Sequence, residues 1–421
     1  MAAALIISSV AVTAQTKQWS LTDCIGYALE KNIQVRKAGV SVSLGELSLQ
    51  QSKDNMLPSL SASLSENLGW RLETGASDET SLVGSSRTTA SLSSGLTLFN
   101  GFQLRNQVRQ AGLDLKSLQY SADQTTESVS LNIMSAYLQV LYSEEPVINA
   151  RNQAEATREE LALAAERLTL GAIANSDYLQ VKTQLASEES SLATAVNNLK
   201  MAKLNLMQLM EYPVDESFEI ARPDIDAFIS TAPAADAVSV YQEALEVKPQ
   251  IKIASINREN ASIDLEMARA GFLPSLSLSA GMSTGFTEAA EMGAQLKNGF
   301  SPSVGLSASV PIFRNNQNKT AVSRAKYGIT TAELDELNTR NQLRKEVEQA
   351  VLDAESPLIS YQAALNRYDS SVETYNLSEE KFKLGAMNSV DFLIQKTNLT
   401  AAESNLLQAK YELVYSHKII D

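Results

Sequence analysis

The chain holds one cysteine and one histidine among 421 residues. That excludes a disulfide framework and leaves no Cys/His metal cluster, so neither a metal nor another cofactor is expected. Aromatic residues make up only 6%, fewer than one large compact core usually holds. Such a composition suits long helices that meet along narrow seams. Positive charge is in deficit, with 35 Lys and Arg against 49 Asp and Glu and a net charge of −14, which argues against nucleic acid as a partner. No stretch reaches ~18 uninterrupted apolar residues, so no transmembrane helix is expected. Walker and dinucleotide glycine fingerprints are missing. His417 has no nucleophile arrangement around it, so no catalytic residue is named and an enzyme is not expected.

What is present begins with MAAALIISSVAVTAQ, apolar from Ala2 to Val12 and closing on Val12-Thr13-Ala14. Residues 1–14 read as a signal peptide cut after Ala14, shortened because its charged start is missing. Cys24 follows Asp23, unlike a lipid-attachment site, and reads as a small buried residue.

LPSLSAS (57–63) returns as LPSLSLS (273–279), 216 positions later. Ala28-Leu29-Glu30 returns as Ala244-Leu245-Glu246 at the same spacing. Leu92-Ser93 and Phe99 return as Leu306-Ser307 and Phe313 at a spacing of 214, as does LTLGAIANSDYLQVKTQL (168–185) in FKLGAMNSVDFLIQKTNL (382–399). Two internal repeats, 15–212 and 236–421, therefore share one plan, joined by a proline-bearing segment at 213–235 that reads as an outer belt.

Each repeat carries two strand-like runs of period two. Leu60, Ala62, Leu64, Leu68, Trp70 and Leu72 oppose a row of Ser, Asn, Gly and Arg; Ala90, Leu92, Leu96 and Leu98 oppose Ser, Thr and Gly. The second repeat does the same with Leu276 to Met282 and with Val304 to Ile312. Runs of this length reach the ~9–11 residues that cross a bilayer, and the small hydroxylated face suits a wet lumen. Surface loops are expected at about 73–87 and 287–299. Four strands cannot close a barrel, which needs about eight or more, and open edges do not survive in lipid. The chain must borrow strands from copies of itself; a dimer would give eight and a trimer twelve.

The remainder reads as helix. Gln103–Thr169 and Asn318–Lys383 would each run about 100 Å, and the return helices Asp177–Glu211 and Asp391–Asp421 about half that. Helices at about 20–55 and 237–271 complete the set. Leu185, Leu192, Leu199 and Leu206, and Leu399, Leu406, Leu413 and Ile420, are seven apart, a coiled-coil spacing. Gly171 and Gly385 are placed as left-handed helix ends, with caps expected near Asn175-Ser176 and Asn388-Ser389. Pro146 and Pro357 should bend the long helices.

The ALEKNIQV opening, the LPSLS strand entries, the LTLFNG and VPIFRN strand exits and the duplicated LGA…D.L turns together resemble the outer-membrane efflux protein family, the TolC-like channel-tunnels. The resemblance spans nearly the whole chain. It implies mixed α and transmembrane β structure: four strands per protomer in a 12-stranded trimeric barrel, and a long α-helical coiled-coil barrel through the periplasm. It implies a homotrimer in the outer-membrane lipid that conducts passively, served by a periplasmic adaptor (membrane fusion) protein and an inner-membrane pump. By the same resemblance Asp391 matches a constriction aspartate of the periplasmic gate, and Asp177 with Ser176 matches the facing tip. A second family acid corresponds to Ile394 and a basic tip residue to Met387, which points to a single acidic ring. Both aspartates also suit the start of a helix electrostatically. Arg167, Leu170, Gly171, Ala172, Lys381, Leu384, Gly385 and Ala386 are the candidate adaptor-docking tips. Alternatives to small-molecule efflux are type I protein secretion through the same fold and a non-channel structural coiled-coil surface protein.

Overall fold

The computed structural model describes residues 18–74, 80–215, 217–222, 236–287, 292–387 and 389–420. The segment read as a signal peptide, most of the expected belt including Pro223 and Pro233, and Asn388 lie outside them.

The elements run β1 (Gln18–Trp19), α1 (Leu21–Lys31), α2 (Ile33–Asp54), β2 (Ser59–Thr74), β3 (Thr80–Asn100), α3 (Gln103–Thr169), α4 (Asn175–Met210) and β4 (Glu219–Ile220). They continue with α5 (Ala237–Val247), α6 (Pro249–Ala270), β5 (Ser275–Thr287), α7 (Met292–Asn298), β6 (Ser301–Ser309), α8 (Gln317–Lys383) and α9 (Ser389–Ile420). Two units are distinguished, each taken by itself: residues 40–121 with 249–339, and residues up to 39 with 122–248 and from 340 onward.

The first unit holds an antiparallel sheet in the order β2-β3-β5-β6. Period-two sequence puts Leu60, Leu64, Leu68, Trp70 and Leu72 on the same face as Leu92, Leu278, Val304 and Leu306, because paired residues share a face. That face is bare along the outer strands, where Leu64 is 75% exposed and Val304 79%, while Leu92 and Leu278 on the inner strands are half-buried. Water penalises an apolar surface of this extent, whereas lipid accepts it. The opposite face carries serine ladders, with Ser61 Oγ 2.8 Å from Ser93 Oγ and Ser63 Oγ 2.7 Å from Ser91 Oγ.

The strands depart from expectation at their ends. Residues 80–87, expected in a loop, belong to β3, and β2 reaches Thr74; the polar side chains of TSLVGSSR hid a strand that keeps its register with β2 throughout. The expected loop at 287–299 contains α7, whose Gln295 both donates to the Thr287 carbonyl (2.9 Å) and accepts from its N–H (2.8 Å). β6 stops at Ser309 and not at Ile312, two residues before Pro311, which cannot donate to a ladder. Both strand exits turn into helix through two left-handed residues, Gly101 and Phe102 (φ 68° and 67°) and Asn315 and Asn316 (φ 50° and 61°). These pairs are 214 apart, so the repeat extends to backbone angles.

Helices α3, α6 and α8 in this unit are tied by polar pairs: Arg109 to Glu266 at 3.0 Å, Asn260 to Asp114 at 2.7 Å and Arg258 to Glu336 at 3.1 Å. Gly45 lets α2 approach Leu115 and Leu118 of α3, where a Cβ would meet Leu118 at 2.7 Å.

The second unit gathers the scarce aromatics. Trp19, Tyr27, Tyr212 and Phe218 pack with ring centroids 5.2–6.1 Å apart, over Val129, Ile133, Tyr137 and Leu206. The parallel pair β1·β4 closes over this core, and the Tyr137 hydroxyl donates towards the carbonyls of Trp19 (3.2 Å) and Ala221 (2.5 Å). Burial pushes that phenol far above its usual range.

Two expected helices are split, at Asn32 and at Lys248. These residues are 216 apart, so the breaks are equivalent. Pro249 forces the second by excluding helical backbone before it. At the first, the Asn32 side chain accepts from Gln34 N–H (2.8 Å) and donates to Leu209 O (2.8 Å). Helices α3 and α8 continue on both sides of Pro146 and Pro357. The heptad leucines end in full burial at Leu206 and Leu413, with Ala402 and Ala409 buried where helices meet closely.

Candidate functional site

Two helical hairpins in the second unit carry every residue singled out from the sequence. At the α3–α4 turn, the Gly171 N–H donates to Leu168 O (3.0 Å) and the Ala172 N–H to Arg167 O (2.9 Å). At the α8–α9 turn, the Gly385 N–H donates to Phe382 O (3.0 Å) and the Ala386 N–H to Lys381 O (2.8 Å). This is the Schellman pattern in both repeats, with φ of 69° at Gly171 and 74° at Gly385. A side chain there would cost about 1–2 kcal/mol.

The consequence is a matched pair of blunt tips. Each reverses the chain within a few residues and leaves one leucine bare, Leu170 at 75% and Leu384 at 84% exposed. Arg167, Ala172, Lys381 and Ala386 surround these leucines on the exposed surface. Apolar anchors ringed by charge are the usual composition of a contact surface.

Asp177 and Asp391 stand in the first turns of α4 and α9. Asp177 is partly buried, while Ser176 and Asp391 are exposed. The expected cap near Asn175-Ser176 is not formed: α4 starts one residue earlier, its N-cap is Ala174, and no side chain caps it. Asparagine and serine were placed inside the helix instead, and the first-turn acid Asp177 is left to face the helix N-terminus.

Residues that the sequence did not single out lie farther along the same hairpins. Phe392, next to Asp391, is buried, stacked on Phe382 at 4.7 Å with an interplanar angle of 6°, and 5.7 Å from Tyr375. One turn on, Lys396 is buried, its side chain 8% exposed. Its Nζ donates to Thr157 Oγ1 at 2.7 Å and lies 3.6 Å from Glu188 Oε1 and 4.0 Å from Glu160 Oε1. Glu188 is equally buried at 7%; Gln184 donates to its Oε1 (2.9 Å), and its Oε2 has no hydrogen-bond partner. Burial, opposed by Lys396 and reinforced by Glu188 and Glu379, raises the Glu160 carboxyl above its ordinary value. Its counterpart in the first repeat, Lys182, is exposed. The repeated Lys-Thr dipeptide was visible in the sequence, but not that only one copy faces inward.

Arg222 forms a second charged knot, 3.0 Å from Glu144 and 3.2 Å from Glu145, with Lys203 donating to Phe218 O at 3.0 Å. Among the described residues no group of three or more His, Cys, Asp or Glu is placed to hold a metal ion, and no helix is long and apolar enough to cross a membrane.

Comparison with known proteins agrees with this architecture. The family model described as outer membrane efflux protein matches residues 24–210 and 240–417. The outer membrane efflux protein BepC of Brucella suis is 21% identical over 98% of this chain and 87% of its own length. The outer membrane protein TolC of Escherichia coli is 23% identical over 90% of this chain and 77% of its own. Among solved structures, the Campylobacter jejuni CmeC outer membrane channel superposes with a TM-score of 0.76 at 19% identity, covering 95% of this chain and 84% of that one.

Proposed function

The chain belongs to the outer membrane efflux protein family, and we propose that it works as a homotrimer whose twelve strands close one barrel in the outer membrane. On this reading the helical hairpins form a periplasmic tunnel, and small molecules pass through without the channel itself consuming energy. A periplasmic adaptor protein and an inner-membrane pump supply the drive and the cargo.

The observation that carries the reading is the sheet. It has one bare apolar face, one hydroxylated face and two strands, β2 and β6, that end the strand order. Lipid requires every backbone group to be satisfied, so those edges must meet other strands. Copies of the same chain supply them with no further component. A surface coiled-coil protein with no pore would have no use for the serine ladders on the other face of such a sheet.

The remaining assignments follow the same logic. Residues 1–14 serve as the export signal, and the segment around 213–235 contributes to a belt. Asp391 lines a constriction where three symmetry-related carboxylates repel one another and attract cations, with Asp177 and Ser176 on the facing tip. The two Schellman turns, with bare Leu170 and Leu384 beside Arg167, Gly171, Ala172, Lys381, Gly385 and Ala386, receive the adaptor.

Purified protein in planar lipid bilayers should give discrete conductance steps. Folded oligomers that insert and carry no current would overturn the reading.

A further inference from the structure

We infer the strand register that joins one copy of this chain to the next: β6 residue n lies opposite residue 372 − n of the neighbouring β2. The inference rests on the closed-barrel reading above and deepens it.

The argument comes from the internal repeat. Paired residue numbers add up to 154 throughout β2·β3 and to 584 throughout β5·β6. The difference, 430, equals the two repeat spacings, 216 for the first strand and 214 for the second, taken together. The two hairpins are therefore equivalent residue for residue. Between them, β3 and β5 pair with a constant of 374 up to the bulge at Thr97 and Phe99.

In a ring of such hairpins, the joint between copies repeats the joint inside a copy, with β6 standing for β3 and β2 for β5. Moving β3 forward by 214 and β5 back by 216 turns the constant 374 into 372. Ser309 then faces Ser63, Ser307 faces Ser65, Leu306 faces Glu66, Gly305 faces Asn67 and Val304 faces Leu68.

Three independent features fit this joint. The faces agree, since the even-numbered residues are apolar on both strands except Glu66 and Thr74; a slip of one would turn the leucines of one strand into the serine face of the other. The lumenal row Ser63, Ser309, Ser65 and Ser307 continues the hydroxyl ladder seen between Ser61, Ser63, Ser91 and Ser93. Charges at the joint have partners within their own chain: Glu66 accepts hydrogen bonds from Ser86 and Thr88, and Arg71 lies 3.4 Å from Glu73. The edge thus presents no unpaired charge to a neighbour.

Cysteine cross-linking tests it. In the chain carrying Ser65→Cys and Ser307→Cys, oxidation should give a ladder of disulfide-linked chains on non-reducing gels. The bond must be between copies, because β2 and β6 of one chain are three strand spacings apart, about 14 Å. Register-shifted chains carrying Ser63→Cys or Asn67→Cys with Ser307→Cys should yield little product, since diagonal neighbours sit ~7–8 Å apart, beyond disulfide reach. Ser63→Cys with Ser309→Cys probes the same register independently, and particle size under reducing conditions checks assembly of every variant. Preferential cross-linking of a shifted pair, or none from chains that assemble, overturns the register while leaving the barrel intact. Monomeric wild-type protein in detergent overturns the closed barrel and the register with it.

Discussion

Substituting Met for Lys396 should destabilise the protein by about 3–5 kcal/mol. Methionine nearly matches lysine in length, so little cavity forms. The loss arises because Glu188, buried with one carboxylate oxygen unpartnered, would lose the cation that lies 3.6 Å from its other oxygen. Denaturant unfolding of the detergent-solubilised protein measures it.

The pH profile separates this cause from a packing defect. The folded state raises the Glu160 carboxyl above its ordinary 4.5, so it binds that proton more tightly than the unfolded chain does. The group's unfavourable contribution is therefore full at neutral pH and is relieved as pH falls through the raised value towards 4.5. Lys396 holds the Glu160 shift down, so removing it should make the destabilisation largest at neutral pH and smaller under mild acid. A loss below about 1 kcal/mol that does not change with pH would mean the cluster is incidental.

Replacing Asp391 with Ala should raise resting conductance several-fold and weaken block by multivalent cations. On the proposed reading, three Asp391 side chains narrow the passage and hold a blocking cation; alanine shortens the side chain, which widens the constriction, and removes the anionic ring that binds the blocker. The competing role predicts something else. An acid in the first turn of a helix contributes roughly 0.3–1 kcal/mol through the helix dipole, so a pure helix-start residue would lower stability by that amount and leave current and block unchanged. Asp177→Ala is the internal comparison, because Asp177 occupies the equivalent turn and is partly buried where Asp391 is exposed.

The plan of the fold was legible because the chain states it twice. Spacings of 216 and 214 in the sequence reappear as equivalent hairpin registers, equivalent helix breaks at Asn32 and Lys248, and equivalent Schellman turns at Gly171 and Gly385. Alternation alone located the four strands, since a lipid-facing strand keeps strict period two. Strand ends were harder. TSLVGSSR is polar enough to pass for a loop, and its pairing partner, not its composition, makes it a strand. The splits at Lys248 and Asn32 were missed, both helices being expected unbroken; Pro249 carried the signal for the first, and projected back by 216 residues it falls on Ile33, the first residue after the second break.

The gate and tip residues are proposed from family resemblance and the duplicated turns, whereas the charged cluster behind them left no such sign in the sequence. Lys182 and Lys396 sit in matching dipeptides, yet one is exposed and the other is buried against Thr157 and Glu188. Helix packing decides which copy turns inward, and a repeated sequence motif carries no record of that choice. The aromatic stack of Phe382 and Phe392 is similar: the first repeat has Leu168 and Tyr178 at those places, so the motif alone does not single it out.

The central claim is that one chain is an incomplete wall that its copies complete. The mass of the detergent-solubilised particle, corrected for bound detergent by sedimentation or multi-angle scattering, tests this most directly. Three chains per particle is the predicted result. A stable, folded particle containing one chain would contradict it.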